Sequence, residues 1–225
     1  MDNIELGMPP GRDLTGLKMI HLWEEVMNQG RTGRSFPLSF ESLELDDLIG
    51  LRYSKQTVLE ALRDPKWYFL FDPGFSLIEM SQICGCDPNM RPCRDDKSSA
   101  WLAEGSSSWT REAQNPGYYL ISMPLLCGLG GDDQDVSIRD LLGSKFERAS
   151  SRLVLVFGIS YFLNFNNYGG FEKCHHLGPE RNDLVGVGAN CVVAFDPKKG
   201  FALYNFSRGG SPKGIGVCLV RKFDF

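Results

Sequence analysis

The sequence has no apolar run long enough to cross a membrane, which takes about 18 residues. Its longest apolar stretch, 153–163, is interrupted by Gly158, Ser160 and Tyr161. The first 12 residues are acidic and carry proline and glycine, whereas a signal peptide begins with a basic segment followed by an apolar one. We therefore expect no membrane span, no signal peptide, and synthesis in the cytoplasm. The final location stays open between the cell, its surface and a virion.

Positive charge is not in excess either. The chain has 24 Lys and Arg against 28 Asp and Glu, a net charge of −4, so the strongly basic surface of a nucleic-acid-binding protein is not predicted. The charge is unevenly placed, because residues 151–225 carry +4 and residues 1–150 carry −8. Residues 151–225 also hold 11 of the 25 glycines. This pattern predicts a loop-rich β region, and loops on a rigid scaffold often carry recognition residues.

A fully paired set of cysteines is lacking too, because the chain has seven of them. An odd number disfavours a complete disulfide framework and suits synthesis in a reducing compartment. Cys84, Cys86 and Cys93, joined by Cys127 or by His175-His176, could in principle hold zinc. Structural zinc sites usually place about two to four residues between paired cysteines, whereas Cys84 and Cys86 are separated by one. We therefore favour buried or surface thiols.

Two further patterns fall short of a complete site. Cys174-His175-His176 places a thiol beside two bases, but adjacent side chains rarely face one another and nothing is seen to orient a histidine. Residues 130–135 offer carboxylates for calcium without the EF-hand spacing, and capping of a following helix explains them. We therefore predict no catalytic residue, no metal site and no cofactor.

The N-terminal part of the chain is predicted to be mainly helical. Apolar residues recur at helical spacing from Leu14 to Met27, which predicts a helix ending near Gly30. A second helix is predicted to start at Ser54 as its N-cap and to stop before Pro65, because proline disfavours helical geometry in the residue before it.

An aromatic strand follows at 67–71, and the pattern then weakens. Residues 84–108 are rich in Cys, Pro, Asp and Ser and predict an irregular insertion. We expect residues 1–116 to form an N-terminal helical extension, either as a separate domain or packed on the rest of the chain.

The C-terminal part is predicted to mix helices with short strands. Asp196 to Gly200 carries the proline and glycine of a turn and predicts a hairpin over 192–206. The other predicted elements are a strand at 117–123, an acidic loop at 130–135, a helix at 136–146, and strands at 184–188, 191–195, 201–206 and 214–222. Residues 150–163 are apolar nearly all round and predict a buried helix or a buried strand, and the length of the stretch favours the helix.

These elements carry a resemblance to a known family. Gly117-Tyr-Tyr-Leu-Ile-Ser, two helices, Asn164-Phe-Asn-Asn-Tyr-Gly-Gly, the hairpin and the closing Ile215-Gly-Val-Cys-Leu-Val-Arg-Lys-Phe223 resemble a C-type lectin fold. They are similar in particular to the branch shared by formylglycine-generating enzymes and the variable proteins of diversity-generating retroelements. The resemblance covers residues 117–225. It implies an α+β, C-type lectin-like ligand-binding domain with short antiparallel strands and two helices, after the extension formed by residues 1–116.

The resemblance also implies a function. In such variable proteins a reverse transcriptase rewrites Asn-type codons near the 3′ end of the gene, and the varied side chains form the ligand-binding face. Changing the first two bases of an Asn codon cannot give Lys, Gln, Glu, Trp or Met, and none of these occurs in residues 201–212. The candidate positions carried over are Asn190, Ala202, Tyr204, Asn205, Phe206, Ser207, Arg208, Gly209, Gly210 and Ser211.

We therefore expect a receptor-type or adhesin-type variable protein, not an enzyme, that recognises a protein or glycan surface and no nucleic acid. The mixture of aromatic, small polar and Arg residues in 204–211 is typical of adaptable binding loops. Two alternatives stay open. One is an enzyme of the formylglycine-generating type or a cysteine hydrolase using Cys174 or Cys218 with His175 or His176. The other is a phage-tail structural protein that assembles through the same face. The oligomeric state is not predicted.

Overall fold

The protein has an α+β fold with two β-sheets and few helices. We describe it from a computed structural model. The structure describes residues 13–14, 53–83, 110–114, 117–129, 131–181, 189–196, 200–207 and 214–224. None of the helices in these segments combines the length and the apolar composition needed to cross a membrane.

The first described elements are β1 (Asp13–Leu14), α1 (Lys55–Ala61), β2 (Trp67–Asp72) and α2 (Leu77–Ile83). Then follow β3 (Gly117–Ser122), α3 (Gly131–Ser137), a π-helix (Ile138–Leu142), β4 (Phe146–Arg148) and α4 (Ser151–Phe165). The last are a 3-10 helix (Gly169–Glu172), β5 (His175–Arg181), β6 (Ala189–Asp196), β7 (Gly200–Ser207), β8 (Ile215–Gly216) and β9 (Leu219–Arg221).

Helices α1 and α4 begin where the sequence predicts. The Ser54 side chain accepts a hydrogen bond from the Thr57 backbone N–H at 3.1 Å, and Ser150 accepts one from the Leu153 N–H at 3.2 Å. Each serine thus satisfies a backbone donor that the first helical turn leaves unpaired. Helix α4 ends at Asn166, whose φ of 54° is left-handed, a conformation that asparagine tolerates better than most residues.

The first sheet joins the N-terminal and C-terminal parts of the chain. Its strand order is β1-β2-β3-β9-β4, and β2 pairs with β3 along the whole strand, from Trp67 opposite Ser122 to Asp72 opposite Gly117. The Tyr53 hydroxyl also donates to the Arg221 carbonyl at 2.8 Å. Of the two arrangements left open for residues 1–116, residues 53–83 therefore show packing on the C-terminal part.

The second sheet has the order β7-β6-β5-β8, and α4 contacts strands of both sheets. One core cluster combines α4 with Leu70 and Val220 of the first sheet and with Val193 and Leu203 of the second. Gly158 of α4 lies against the Phe201 ring, and a Cβ there would overlap the ring. This close approach explains a glycine inside an otherwise apolar helix.

A second core cluster lies mainly on β2, β3 and β9 and includes Val58 of α1 and Leu62, the residue after its end. Residues Phe69 and Phe71 belong to it, whereas Leu70 belongs to the cluster around α4. Strand β2 is therefore buried on both faces, which explains its continuous run of large apolar residues.

Several predicted boundaries are wrong. Residues 131–135 of the predicted acidic loop form most of α3, and the predicted helix at 136–146 ends at Leu142, so that Phe146 begins β4. The predicted strand 214–222 is two strands in different sheets, because Val217 instead bridges to Leu125.

Other differences concern single elements. Leu14 lies in a strand rather than at a helix start, while α2 and β5 were not predicted. The rest of the helix predicted from Leu14, the insertion at 84–108 and the strand at 184–188 lie outside the described residues.

A disulfide links Cys127 to Cys174, which are 47 residues apart, with a Cα–Cα distance of 6.2 Å. The odd number of cysteines did not predict this disulfide. An odd number means only that not every cysteine can be paired within the chain, and it says nothing about one particular pair. Among the described residues Cys191 and Cys218 are buried and form no disulfide, while Cys84, Cys86 and Cys93 lie outside the described residues.

Reduction of this disulfide is expected to lower the free energy of unfolding by about 4 kcal/mol, because an open loop of this length gains chain entropy in the unfolded state. Urea unfolding with and without dithiothreitol measures the difference. The control is a Cys127→Ser/Cys174→Ser variant, which should not respond to dithiothreitol. An unchanged wild-type curve, with complete reduction verified by mass spectrometry, would contradict the prediction.

Candidate ligand-binding face

The predicted binding residues belong to the β6–β7 hairpin. The two strands pair antiparallel from Ala189 opposite Ser207 to Asp196 opposite Gly200, which confirms the predicted hairpin. Gly200 has a φ of 79°, a backbone conformation that glycine adopts without steric cost. The turn therefore lies at one end of the paired strands. The predicted binding positions Asn190 and 205–207 lie at the other end.

The strand register brings several predicted positions together. Asn190 pairs with Phe206 and, across its other edge, with Arg181 of β5. In the same ladder Asn205 pairs with Cys191. Asn190 and 205–207 therefore lie at one end of the second sheet, although they are far apart in sequence. Arg208, Gly209, Gly210 and Ser211 lie beyond the described residues.

Two predicted positions lie deeper than expected. Ala202 is 0% exposed and pairs with Ala194, so its side chain belongs to the core and not to a surface. Both faces of β7 are covered here, because Phe201 and Leu203 are 0% exposed as well. Tyr204 is half-buried and packs against the small apolar cluster of Leu177, Val192, Ala194 and Ile215. The candidate positions therefore reduce to Asn190 and residues 204–211, of which Tyr204 is half-buried.

His176, the second histidine of the Cys174-His175-His176 pattern, has a structural role. His176 is fully buried, its Nε2 lies 3.0 Å from the Ala149 carbonyl oxygen, and its Nδ1 accepts from the Cys218 N–H at 2.9 Å. These bonds assign the ring proton to Nε2. Burial, aided by the charge of Arg148, lowers the pKa of His176 to about 3, so the ring is neutral at physiological pH.

The two cysteines considered as nucleophiles are not arranged for that chemistry. Cys174 is bonded to Cys127. Cys218 is 0% exposed, and burial raises its pKa well above the usual value, so it stays a neutral thiol. His175 is half-buried and its pKa is lowered by burial. A thiolate with an accessible base is therefore not found at these positions.

The acidic stretch considered for calcium is engaged in packing α3. Arg148 donates to the Asp135 carboxylate at 2.6 Å and to the Gln134 amide oxygen at 2.8 Å. Asp132 and Asp133 lie exposed in the first turn of α3, where negative charge favours the helix dipole. Within the described segments no three His, Cys, Asp or Glu side chains are grouped to hold a metal ion.

A polar cavity of about 340 Å³ lies at the N-terminus of α4, and sequence reasoning missed it. Its wall includes Glu180 of β5, whose carboxylate accepts from the backbone N–H and the hydroxyl of Ser151 at 2.8 and 2.6 Å. Burial raises the pKa of Glu180, and the bonds from Ser151 oppose that rise. Residues 29 apart form this contact, so no local sequence signal indicates it.

Comparisons of the chain with protein families, with curated proteins and with solved structures find no match.

The burial of His176 predicts a pH-dependent stability. An unfolded histidine takes up a proton near pH 6.5, whereas folded His176 stays neutral down to about 3. Since the unfolded state binds the extra proton between these values, the free energy of unfolding falls as the pH is lowered through them. This residue alone is expected to cost about 1 kcal/mol between about pH 6 and about pH 5.

A His176→Gln variant, which keeps an N–H donor, should lose that part of the pH dependence in urea unfolding. The matched control is His175→Gln, whose half-buried ring should account for a smaller share. An identical pH dependence of wild type and His176→Gln would contradict the assignment.

Proposed function

We propose that the protein is a ligand-binding protein of the receptor or adhesin type, in which residues 117–225 form a C-type lectin-like unit diversified by a retroelement. It recognises a protein or glycan surface through Asn190 and residues 204–211 and performs no chemistry on its ligand.

The element order supports the lectin-like arrangement. Strand β3 is followed by α3 and α4, then by the β6–β7 hairpin, and finally by β9, which returns to pair with β3 at Ile121 opposite Val220. The resemblance implies this sequence of strand, two helices, hairpin and closing strand. Strand β5, between α4 and the hairpin, gives the second sheet an additional inner strand.

The observation that carries the proposal is the register at the end of the second sheet. Asn190 lies opposite Phe206, while Cys191, Val193, Phe201 and Leu203 of the same two strands are 0% exposed. The fully buried core therefore reaches to within two residues of the candidate positions. A sheet fixed in this way supports side chains at its end that vary without disturbing the fold.

The alternative as a cysteine-dependent enzyme gains no support from its candidate residues, because Cys174 is bonded and Cys218 and His176 are buried. In the alternative as a phage-tail protein, the same face makes an assembly contact. Sequence variation among genes distinguishes the two functions, because the residues of an assembly surface should stay constant.

Sequencing the gene and its flanks from independent isolates tests the proposal. We expect a near-copy of the 3′ end that differs at adenines, beside a reverse transcriptase gene. Substitutions should concentrate at Asn190 and 204–211, because Asn190 and 205–207 lie at the end of the second sheet away from the hairpin turn.

The internal controls are Phe201 and Leu203, earlier in the same strand. Both should stay constant among isolates, because their side chains are fully buried. Isolates without the near-copy, or with substitutions spread evenly over 190–211, would contradict diversification. A face conserved among all isolates would instead favour the assembly function.

A further inference from the structure

The cavity at the start of α4 is a formed site that the proposed function does not use. Its volume of about 340 Å³ falls within the range of about 300–1,000 Å³ typical of small-ligand sites. The walls come from both sheets and from the segment before β3. The lining residues are Glu112, Gln114, Tyr119, Glu147, Arg148, Ala149, Ser150, Arg152, Leu153, Pro179, Glu180 and Val220.

The two cations of the wall are committed to the fold. Arg152 donates to both carboxylate oxygens of Asp72 and to the Phe75 carbonyl. Arg148 donates to Gln134, to Asp135 and to the carbonyl oxygens of Gly131 and Leu177. Neither Asp72 nor Asp135 lines this cavity, so both guanidinium groups are neutralised from behind it.

The two exposed carboxylates of the wall are in the opposite situation. Glu112 and Glu147 are exposed, and within the described segments neither has an ion pair or a hydrogen-bonding side-chain partner. Glu180 is attracted electrostatically by Arg148 and Arg152 and accepts two bonds from Ser151. It keeps acceptor capacity on each oxygen, since a carboxylate oxygen has two lone pairs. The cavity therefore offers acceptors and negative charge, while its strongest donors are occupied.

We propose that this cavity binds a cationic group, a guanidinium or an alkylammonium, carried by a small molecule or by a basic side chain of a protein. The carboxylates of Glu112, Glu147 and Glu180 receive its N–H donors. The apolar parts of Tyr119, Leu153 and Val220 contact the carbon chain that carries the charge, as amphipathic basic side chains require. The site goes beyond the proposed function and stands whether or not residues 204–211 bind a ligand.

Calorimetric titration of the full-length protein tests the proposal with three probes. Agmatine represents a free small cation, an acetylated and amidated Gly-Arg-Gly peptide represents a basic side chain, and the same peptide with citrulline is its neutral isostere. We expect saturable binding of at least one cationic probe and none of the citrulline peptide. Binding of agmatine identifies a small-molecule site, and binding of the arginine peptide alone identifies a site for a protein side chain.

The variant Glu112→Gln/Glu147→Gln removes two exposed charges and leaves the core untouched. It should weaken binding at least about tenfold, because hydrogen bonds to a charged carboxylate are stronger than those to a neutral amide. Glu172→Gln, an exposed carboxylate outside the cavity, is the matched control and should bind as the wild type does. Absence of binding by both cationic probes, equal binding of the citrulline peptide, or unchanged affinity in the double variant would overturn the proposal.

Discussion

Arg152 and Asp72 form a buried ion pair in which the guanidinium group donates to both carboxylate oxygens. Both side chains are almost fully buried, at 7% and 0% exposure. Burial lowers the pKa of Arg152, but the hydrogen bonds and charge of Asp72 outweigh it and leave the pKa raised. Removing one partner of such a pair leaves an uncompensated buried charge, at a cost of about 3–5 kcal/mol. The pair fixes the first turn of α4 against the end of β2.

Two further contacts start from that fixed turn. Ser151, next to Arg152, binds Glu180, and β5 shifts register against β6 between Leu177 and Arg181. Gly178 lies so close to Ser151 that a Cβ there would overlap its hydroxyl. His176 adds a link from β5 to Ala149 and Cys218. The end of the second sheet, where Asn190 meets Phe206, and the polar cavity are therefore positioned by the same helix start.

The elements that depend on neighbouring residues, such as helix caps, an apolar run and a hairpin turn, were predicted from the sequence. Ser54 caps the start of α1, the apolar run after Ser150 is α4, and Asp196 pairs with Gly200 at the turn end of the hairpin. The failures depend on contacts distant in sequence. The Arg152–Asp72 pair spans 80 residues, and Ala202 looks like a strand position of ordinary exposure until the opposite face is known to be covered. The aromatic strand at 67–71 was predicted correctly, but its partner strand could not be predicted, so its place in the core was left open.

The central claim is that residues 53–83 and the C-terminal part of the chain form one cooperative core held at α4. Native-state hydrogen exchange measures this directly, because each amide reports the free energy of the opening that exposes it. The amides of Phe69, Leu70 and Phe71 in β2 should exchange with the same free energy as those at the centre of α4. Exchange of the β2 amides at a free energy lower by more than about 2 kcal/mol, with α4 still protected, would contradict the claim.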